Sequence, residues 1–330
     1  MTQDPDWSAG HGPLPRFEVH FAAPDISIWR DGNAGIAGVW QFAATVPGPH
    51  VVITTLIHGN EIAGAVALDQ MLRANPTPLR GQLSLVFANL EAYARFDRAN
   101  PTASRFVDED LNRVWDRAML EGARDSRELA RARALRPVVD AADVLLDLHS
   151  MLWPGDPLTL CGPSAKGRDL ARAMGTPPLV VADSGHLGGR RLIDYAPFVD
   201  AAADPTAILV EAGQHWEPGT VTAMLASIAG VLAATGLAPP AAPPPLPPTC
   251  AEVTQVITAG TGAFNFLRPY RGGDVIQARD TLIAMDGELE IRTPHDNCLL
   301  VMPSLRPSRG HTAVRLARIV GEGRKEGLLF

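Results

Sequence analysis

The sequence predicts an α/β protein with a mostly parallel or mixed sheet, helices on both faces of that sheet, and a small C-terminal β domain. In the first 238 residues, short continuous apolar runs alternate with helical patterns. After residue 249 the pattern changes to short alternating stretches separated by Gly, Pro and Asp. Between the two parts lie seven prolines within residues 239–248, which cannot continue a helix.

The elements of the first part follow in order. The run VVITTLI at residues 51–57 predicts a buried strand, and the helical pattern after it predicts a helix over residues 61–75 that ends before Pro76. Further strands are predicted over residues 83–88, 144–148 and 207–210, with a helix near residues 125–142. Continuous apolar strands separated by helices are typical of a sheet that is covered on both faces.

The C-terminal part predicts a small antiparallel β module, whose strands are expected within residues 260–270, 272–285, 287–293 and 311–319. We therefore expect an α/β domain over residues 1–238, a Pro-rich linker over residues 239–249 and a small β domain over residues 250–330.

Composition excludes several classes of protein. The 330 residues are 46% apolar, which is enough for a full-sized α/β domain and a smaller module. The net charge of −7 argues against a nucleic-acid partner. Cys161, Cys250 and Cys298 form no CxxC pair, and the N-terminal residues show no signal-peptide pattern, so we expect a reducing, cytoplasmic location.

Residues 220–238 carry no charge and require a test for a membrane span. Their larger apolar side chains recur at helical spacing, at Met224, Leu225, Ile228, Val231 and Leu232. The larger apolar side chains would thus lie on one face of a helix. This pattern favours a helix packed on a core over a membrane-spanning helix. We therefore expect no membrane partner, and the sequence is compatible with a homo-oligomer.

His58 and Glu61 directly follow the first predicted strand, in the sequence HGNE. Ligands of open α/β sheets bind outside the carboxyl ends of the strands, and an imidazole nitrogen and a carboxylate oxygen are suitable zinc ligands. The pair has an alternative interpretation, in which His58 is a loop residue and Glu61 stabilises a helix dipole.

His149 stands at the end of the predicted strand 144–148, with Asp147 two residues earlier on the same face. Asp147 is placed to orient the imidazole, although a buried histidine with satisfied hydrogen bonds would give the same local pattern. Combined with His58 and Glu61, His149 completes a His₂Glu set with an open fourth position, as in hydrolytic zinc sites. We therefore predict one Zn²⁺ per chain.

Two further features contain groups suited to catalysis. The stretch RFVDEDLNR holds Arg105, Asn112 and Arg113, which can bind a carboxylate and polarise a carbonyl, or else belong to a solvated loop of weak ion pairs. Glu211 follows the predicted strand 207–210 and is a candidate general base, or else a capping or surface residue. The nearby His215 has no assigned role.

The motifs HGNE, RFVDEDLNR, DLHS and VEAG occur in this order over about 155 residues. Together they resemble the succinylglutamate desuccinylase/aspartoacylase family of the zinc carboxypeptidase-like superfamily. The resemblance implies a zinc-carboxypeptidase-like fold followed by a small β domain. It also implies that His58, Glu61 and His149 are the zinc ligands and that Glu211 is the general base that activates zinc-bound water.

The same resemblance implies that Arg105 polarises the scissile carbonyl and that Asn112 and Arg113 bind the α-carboxylate of the substrate. One feature departs from the aspartoacylase pattern, which has a further arginine shortly before the glutamate base to bind a side-chain carboxylate. Residues 199–210 contain no arginine, and the spacing of Arg190 and Arg191 does not match. A substrate other than an aspartate or glutamate derivative is therefore compatible with the sequence.

The implied activity is that of a zinc-dependent amidohydrolase acting on linear amide C–N bonds. It would remove an acyl group from an N-acyl amino acid or a similar small carboxylate-bearing amide. A zinc carboxypeptidase acting on short peptides is the nearest alternative. A catalytically silent metal- or ligand-binding protein is the alternative from another class, and Glu211 argues against it because binding alone requires no base.

Overall fold

The computed structural model describes residues 17–185, 188–240 and 246–320. These described residues divide into two compact units, the larger within residues 19–150 and 157–248 and the smaller within residues 17–18, 151–156 and 249–320. Residues 151–156 thus group with the C-terminal part, although the sequence places them in the α/β part. Residues 241–245 of the predicted Pro-rich linker lie outside the described residues.

The larger unit is built from alternating strands and helices. Its strands are β1 (Val39–Ala43), β2 (His50–Thr55), β3 (Gln82–Phe87), β4 (Val144–Met151), β5 (Leu158–Leu160), β6 (Leu179–Ala182) and β7 (Thr206–Gln214). Its helices are α1 (Ile62–Arg73), α2 (Leu90–Tyr93), α3 (Arg117–Glu121), α4 (Arg127–Asp140), α5 (Ala165–Met174), α6 (Ala196–Val199) and α7 (Pro218–Ala234). Short 3₁₀ turns occur at Ser27–Trp29, Leu111–Arg113 and Leu192–Asp194.

The strands of the larger unit form a mixed sheet in the order β1-β3-β2-β4-β7-β5-β6. Strand β2 pairs in parallel with both β3 and β4, and β5 pairs in parallel with β6, whereas the β1–β3 and β5–β7 pairs are antiparallel. Strands β2 and β4 are buried along their whole length, as expected for strands covered on both faces. The predicted fold class is confirmed.

Strand β2 ends two residues earlier than its apolar run, because Leu56 adopts a left-handed backbone conformation with φ 58°. This conformation is uncommon for a bulky side chain and occurs where the surrounding structure holds it. Helix α1 packs closely on the end of β2, since a Cβ atom at Gly64 would lie 1.6 Å from Oγ1 of Thr55. The loop between β2 and α1, which carries HGNE, is therefore held tightly at the edge of the sheet.

Helix α7 corresponds to the uncharged stretch of the sequence. It buries Met224, Ile228 and Val231 from the predicted apolar stripe. Within the part of the chain that the structure describes, none of the helices has the length and hydropathy required of a membrane span.

The smaller unit contains the strands β8 (Thr249–Thr258), β9 (Phe264–Phe266), β10 (Val275–Ile276), β11 (Leu282–Asp286), β12 (Leu289–Arg292), β13 (Cys298–Val301) and β14 (Thr312–Val320). Strands β8, β14, β13 and β10 pair in that order, β12, β11 and β9 form a second sheet, and all these pairs are antiparallel. Phe264, Phe266 and Tyr270 pack in the core, with successive ring centroids 5.2 and 5.8 Å apart. The predicted small antiparallel β module is confirmed.

Candidate metal centre

His58, Glu61 and His149 lie together at the carboxyl ends of β2 and β4. Nδ1 of His58 is 2.6 Å from Oε1 of Glu61, and Nδ1 of His149 is 3.2 Å from Oε2 of the same carboxylate. All three side chains are buried, and one ligand atom from each lies within 4.8 Å of the others. The structure therefore brings together the three residues predicted as a metal-binding set.

The sheet explains this convergence. Strands β2 and β4 are parallel neighbours with Thr54 opposite Asp147, so their carboxyl ends meet at the same edge. Gly59 allows the loop after β2 to approach its neighbours, because a Cβ atom there would lie 2.3 Å from the carbonyl carbon of Ala92 and 2.6 Å from the carbonyl oxygen of Ser104. The glycine of HGNE is thus required for space.

Each imidazole contacts an aspartate through its other ring nitrogen. Nε2 of His58 lies 2.9 Å from Oδ1 of Asp110, and Nε2 of His149 lies 2.8 Å from Oδ2 of Asp147. Metal-binding histidines typically pair their second nitrogen with a carboxylate, which fixes the orientation of the ring. Two imidazole nitrogens and a carboxylate oxygen are a donor set that suits Zn²⁺, so these residues fit the predicted metal.

The buried groups shift one another's pKa. Burial raises the pKa of the Glu61 carboxyl, but the His58 and His149 imidazoles hold it well below its usual value. Burial lowers the pKa of His149, whereas Asp147 and Glu61 raise it well above its usual value. A cation bound by these groups therefore competes with a tightly held proton.

Arg105 joins the cluster from the partly exposed side. Its Nη2 atom lies 2.9 Å from Nε2 of His58 and 3.2 Å from Oδ2 of Asp110, and its Nη1 atom lies 3.8 Å from Oε1 of Glu61. Burial raises the pKa of the Asp110 carboxyl, but His58, Arg105 and Arg113 hold it far below its usual value. A guanidinium at this position can reach a group bound beside Glu61.

Asn112 and Arg113 lie next to the cluster in the 3₁₀ turn that Asp110 caps. The side-chain oxygen of Asn112 accepts a hydrogen bond of 2.8 Å from the amide of Leu192, and its Nδ2 atom lies 3.5 Å from Nε2 of His149. Arg113 donates through Nη1 to the carbonyl oxygen of Asn112 at 2.7 Å. The side-chain amide of Asn112 thus faces His149, one of the candidate metal ligands, and Arg113 lies beside Asn112.

Glu211 is buried in β7, which neighbours β4 in the sheet, and it pairs with Leu158 of β5. His215, four residues after Glu211 in the chain, contacts the segment that carries His149. Nδ1 of His215 lies 2.8 Å from Oγ of Ser150, the residue after His149. Burial above all lowers the pKa of His215 to about 3, so its imidazole is neutral at pH 7.

Arg190 and Arg191 both form ion pairs with aspartates. The Arg191 side chain is buried and pairs with Asp183 at 2.7 Å and with Asp194 at 2.7 Å. Arg190 pairs with Asp116 at 3.1 Å. These contacts give Arg191 a role in holding the segment around Leu192 against Asn112.

Sequence reasoning gave no role to three of the residues that hold this site, Asp110, His215 and Glu128. Asp110 lies within a motif, and His215 follows Glu211 by four residues, but neither signal shows which histidine or serine it contacts. Glu128 is buried at the start of α4, where its carboxylate accepts the backbone amides of Val107 and residues 108–109 at 2.6 to 3.2 Å. It thereby fixes the loop that carries Arg105.

The fold and the buried cluster define an α/β protein with a candidate metal centre at the edge of its sheet. Comparison with known families is consistent with this class, because the family model of the succinylglutamate desuccinylase/aspartoacylase catalytic domain matches residues 47–152. That segment contains HGNE, RFVDEDLNR and DLHS. The resemblance predicted from the motifs is therefore confirmed. No curated protein matches the sequence of the chain.

Solved structures share the fold at low sequence identity. A succinylglutamate desuccinylase from Vibrio parahaemolyticus is 17% identical, with a TM-score of 0.65 over 88% of this chain and 88% of that chain. An aspartoacylase family protein from Mesorhizobium loti is 20% identical, with a TM-score of 0.60 over 86% of this chain and 89% of that chain. The ectoine utilization protein EutE from Ruegeria pomeroyi, solved with bound product, is 17% identical, with a TM-score of 0.60 over 84% of this chain and 88% of that chain.

Proposed function

We propose that the protein is a zinc-dependent amidohydrolase that removes the acyl group from an N-acyl amino acid or a similar small carboxylate-bearing amide. The observation that carries the proposal is the buried set of His58, Glu61 and His149, in which both imidazoles present Nδ1 to the same carboxylate. The match of residues 47–152 to the desuccinylase/aspartoacylase catalytic domain supports acyl-amide chemistry in particular.

Zn²⁺ held by His58, Glu61 and His149 would supply Lewis acidity for activating water and polarising the substrate carbonyl. Glu211 acts as the general base, taking a proton from the attacking water and passing it to the leaving amine. The water oxygen bonds to the carbonyl carbon, the C–N bond breaks, and a carboxylate and an amine are released. A positioned base of this kind typically accelerates reactions by about 10² to 10⁴.

Arg105 stabilises the negative charge that develops on the carbonyl oxygen. Its guanidinium already lies beside Glu61, 3.8 Å from a carboxylate oxygen, and is only partly exposed. Loss of one such donor typically lowers kcat by about 10²- to 10³-fold. Asn112 and Arg113 bind the substrate carboxylate and so hold the scissile bond next to the base.

The substrate is proposed to carry no side-chain carboxylate on its amino acid part. Residues 199–210 contain no arginine to bind such a group, and the buried guanidinium of Arg191 is already engaged by Asp183 and Asp194. A buried cation with two carboxylate partners is not free to recruit a third. N-acyl derivatives of neutral amino acids are therefore the first substrates to test.

The location proposed for this activity is the cytoplasm. Among the residues that the structure describes, Cys161, Cys250 and Cys298 form no disulfide, and Cys161 and Cys298 are buried. Cysteines kept out of disulfides are typical of reducing compartments.

The test is a screen of N-acyl amino acids with neutral and acidic side chains, alongside short peptides, on protein whose zinc content is measured in the same preparation. We expect chelator-sensitive release of the acyl group from the neutral substrates, and loss of both zinc and turnover in His149→Ala. His50→Asn is the matched control, because His50 is a buried histidine at the opposite end of β2. Faster cleavage of peptides than of acyl amino acids would identify a carboxypeptidase instead.

A further inference from the structure

Two residues that directly follow β7 each contact one of the two segments that carry the metal candidates. Nδ1 of His215 lies 2.8 Å from Oγ of Ser150, which adjoins His149. Nε1 of Trp216 donates a hydrogen bond of 3.2 Å to the carbonyl oxygen of Asn60, which adjoins Glu61. His215 and Trp216 are therefore adjacent in sequence, but His215 reaches the end of β4 and Trp216 reaches the loop after β2.

Ser150 is the point at which the two segments meet. Its hydroxyl contacts His215, while its backbone amide donates a hydrogen bond of 3.0 Å to Oε2 of Glu61. This same carboxylate oxygen lies 3.2 Å from Nδ1 of His149. A shift of Ser150 would thus alter the position of Glu61 relative to His149.

His215 and Trp216 are themselves held in place by their neighbours. Both side chains are buried, and the rings of His215 and Trp216 pack with centroids 5.3 Å apart. The backbone amide of Trp216 donates to the side chain of Gln214 at 2.8 Å, and the carbonyl of Gln214 accepts a bond from Thr220 in α7. The two side chains that contact Ser150 and Asn60 therefore belong to a well-held segment of the chain.

We propose that His215 and Trp216 form a brace that positions the Glu61 carboxylate between the two imidazoles and so sets the affinity of the site for its metal. The inference rests on the proposed function in taking Zn²⁺ as that metal. His215 and Trp216 are positioning residues, since each acts through Ser150 or Asn60. Residues that orient metal ligands in this way typically change metal affinity by about 10- to 100-fold when they are replaced.

The chain offers close controls for a purely structural role. His50 and Ser84 form a second buried histidine–serine pair, with Nε2 of His50 2.7 Å from Oγ of Ser84, at the amino end of β2. Trp40 donates through its indole nitrogen to the carbonyl oxygen of Trp29 at 2.9 Å. Both pairs have the same chemistry as the brace but contact none of His58, Glu61 and His149.

The experiment measures the zinc dissociation constant of full-length apoprotein by competition with a chromogenic chelator. The brace variants are Ser150→Ala, Trp216→Phe and their combination, and the controls are Ser84→Ala and Trp40→Phe. We expect each brace variant to bind zinc about 10- to 100-fold more weakly, and the combination to be non-additive because both contacts position one carboxylate. The controls should stay within about twofold of wild type while losing a similar amount of apoprotein Tm.

Equal zinc affinity of the brace variants and wild type would overturn the inference, as would an equal loss in the controls. The measurement uses no substrate, so it separates the two proposals. Wild-type protein that binds zinc without hydrolysing acyl amino acids would refute the proposed function and leave the brace to be judged on affinity. Wild-type protein that binds no zinc would refute both.

Discussion

Nε2 of His149 lies 2.8 Å from Oδ2 of Asp147, two residues earlier on the same strand. The other oxygen of Asp147 accepts a hydrogen bond of 2.6 Å from the hydroxyl of Thr54 on the neighbouring β2. Asp147 is fully buried, so it connects the two strands that end at the candidate metal centre while fixing the direction of one imidazole.

Replacing Asp147 should therefore weaken metal binding. We expect Asp147→Asn to bind zinc about 10- to 100-fold more weakly, because an amide is a poorer partner for the imidazole than a carboxylate. Chelator competition on the apoprotein measures the effect. Thr54→Val removes only the bond that supports Asp147 and should show a smaller loss, so an equal or larger loss in Thr54→Val would contradict this ordering.

Glu211→Gln separates binding from chemistry. Glu211 is the proposed base and not one of the proposed metal ligands, so the variant should keep the zinc content of wild type. Its kcat should fall by about 10²- to 10⁴-fold, since the amide cannot accept the proton of the attacking water. Metal analysis and turnover are measured on the same sample. A variant with near-wild-type kcat would remove Glu211 from the mechanism.

The two histidines among the metal-binding candidates were predictable because each directly follows an apolar run. His58 and His149 stand after runs that form strands β2 and β4, and parallel strands present their carboxyl ends at one edge. The fold class was predictable for the same reason, since local periodicity sets the type of each element. The order of the four motifs then carried the family resemblance.

The residues that hold the candidates in place could not be predicted in this way. The contact of Ser150 with His215 spans 65 residues of sequence, and that of His58 with Asp110 spans 52. Such contacts depend on how loops meet in the folded sheet, which no local pattern encodes. The left-handed conformation of Leu56 has the same origin, because tertiary packing overrides the usual preference of leucine.

Glu128→Gln tests how the loop carrying Arg105 is held. The Glu128 carboxylate accepts three backbone amides of residues 107–109 and the side-chain amide of Asn89. Glutamine is uncharged and has one acceptor oxygen in place of two. Some of the partly buried N–H groups that donate to Glu128 would therefore lose their acceptor. We expect the free energy of unfolding to fall by about 1–3 kcal/mol.

Urea unfolding of Glu128→Gln measures this loss, and Glu121→Gln is its control. Glu121 is an exposed helix residue paired with Arg117 and Arg136 at 3.0 Å each. Exposed ion pairs contribute little to stability because water screens them, so the control should be less affected. If both variants lost the same small amount, the loop would not depend on the buried carboxylate.

His215 predicts a pH dependence of stability. Burial above all lowers its pKa to about 3, with Arg105 acting in the same direction and Glu61 opposing it. In the unfolded chain an imidazole titrates near pH 6.5, so below that pH the unfolded state binds a proton that the folded state does not. The free energy of unfolding therefore falls as the pH drops, by about 2 kcal/mol between pH 7 and pH 5 from this residue.

Urea unfolding of the apoprotein, with chelator present, should show wild type losing about that much more than His215→Asn over this range. An equal loss in the two proteins would mean that His215 is protonated within the fold.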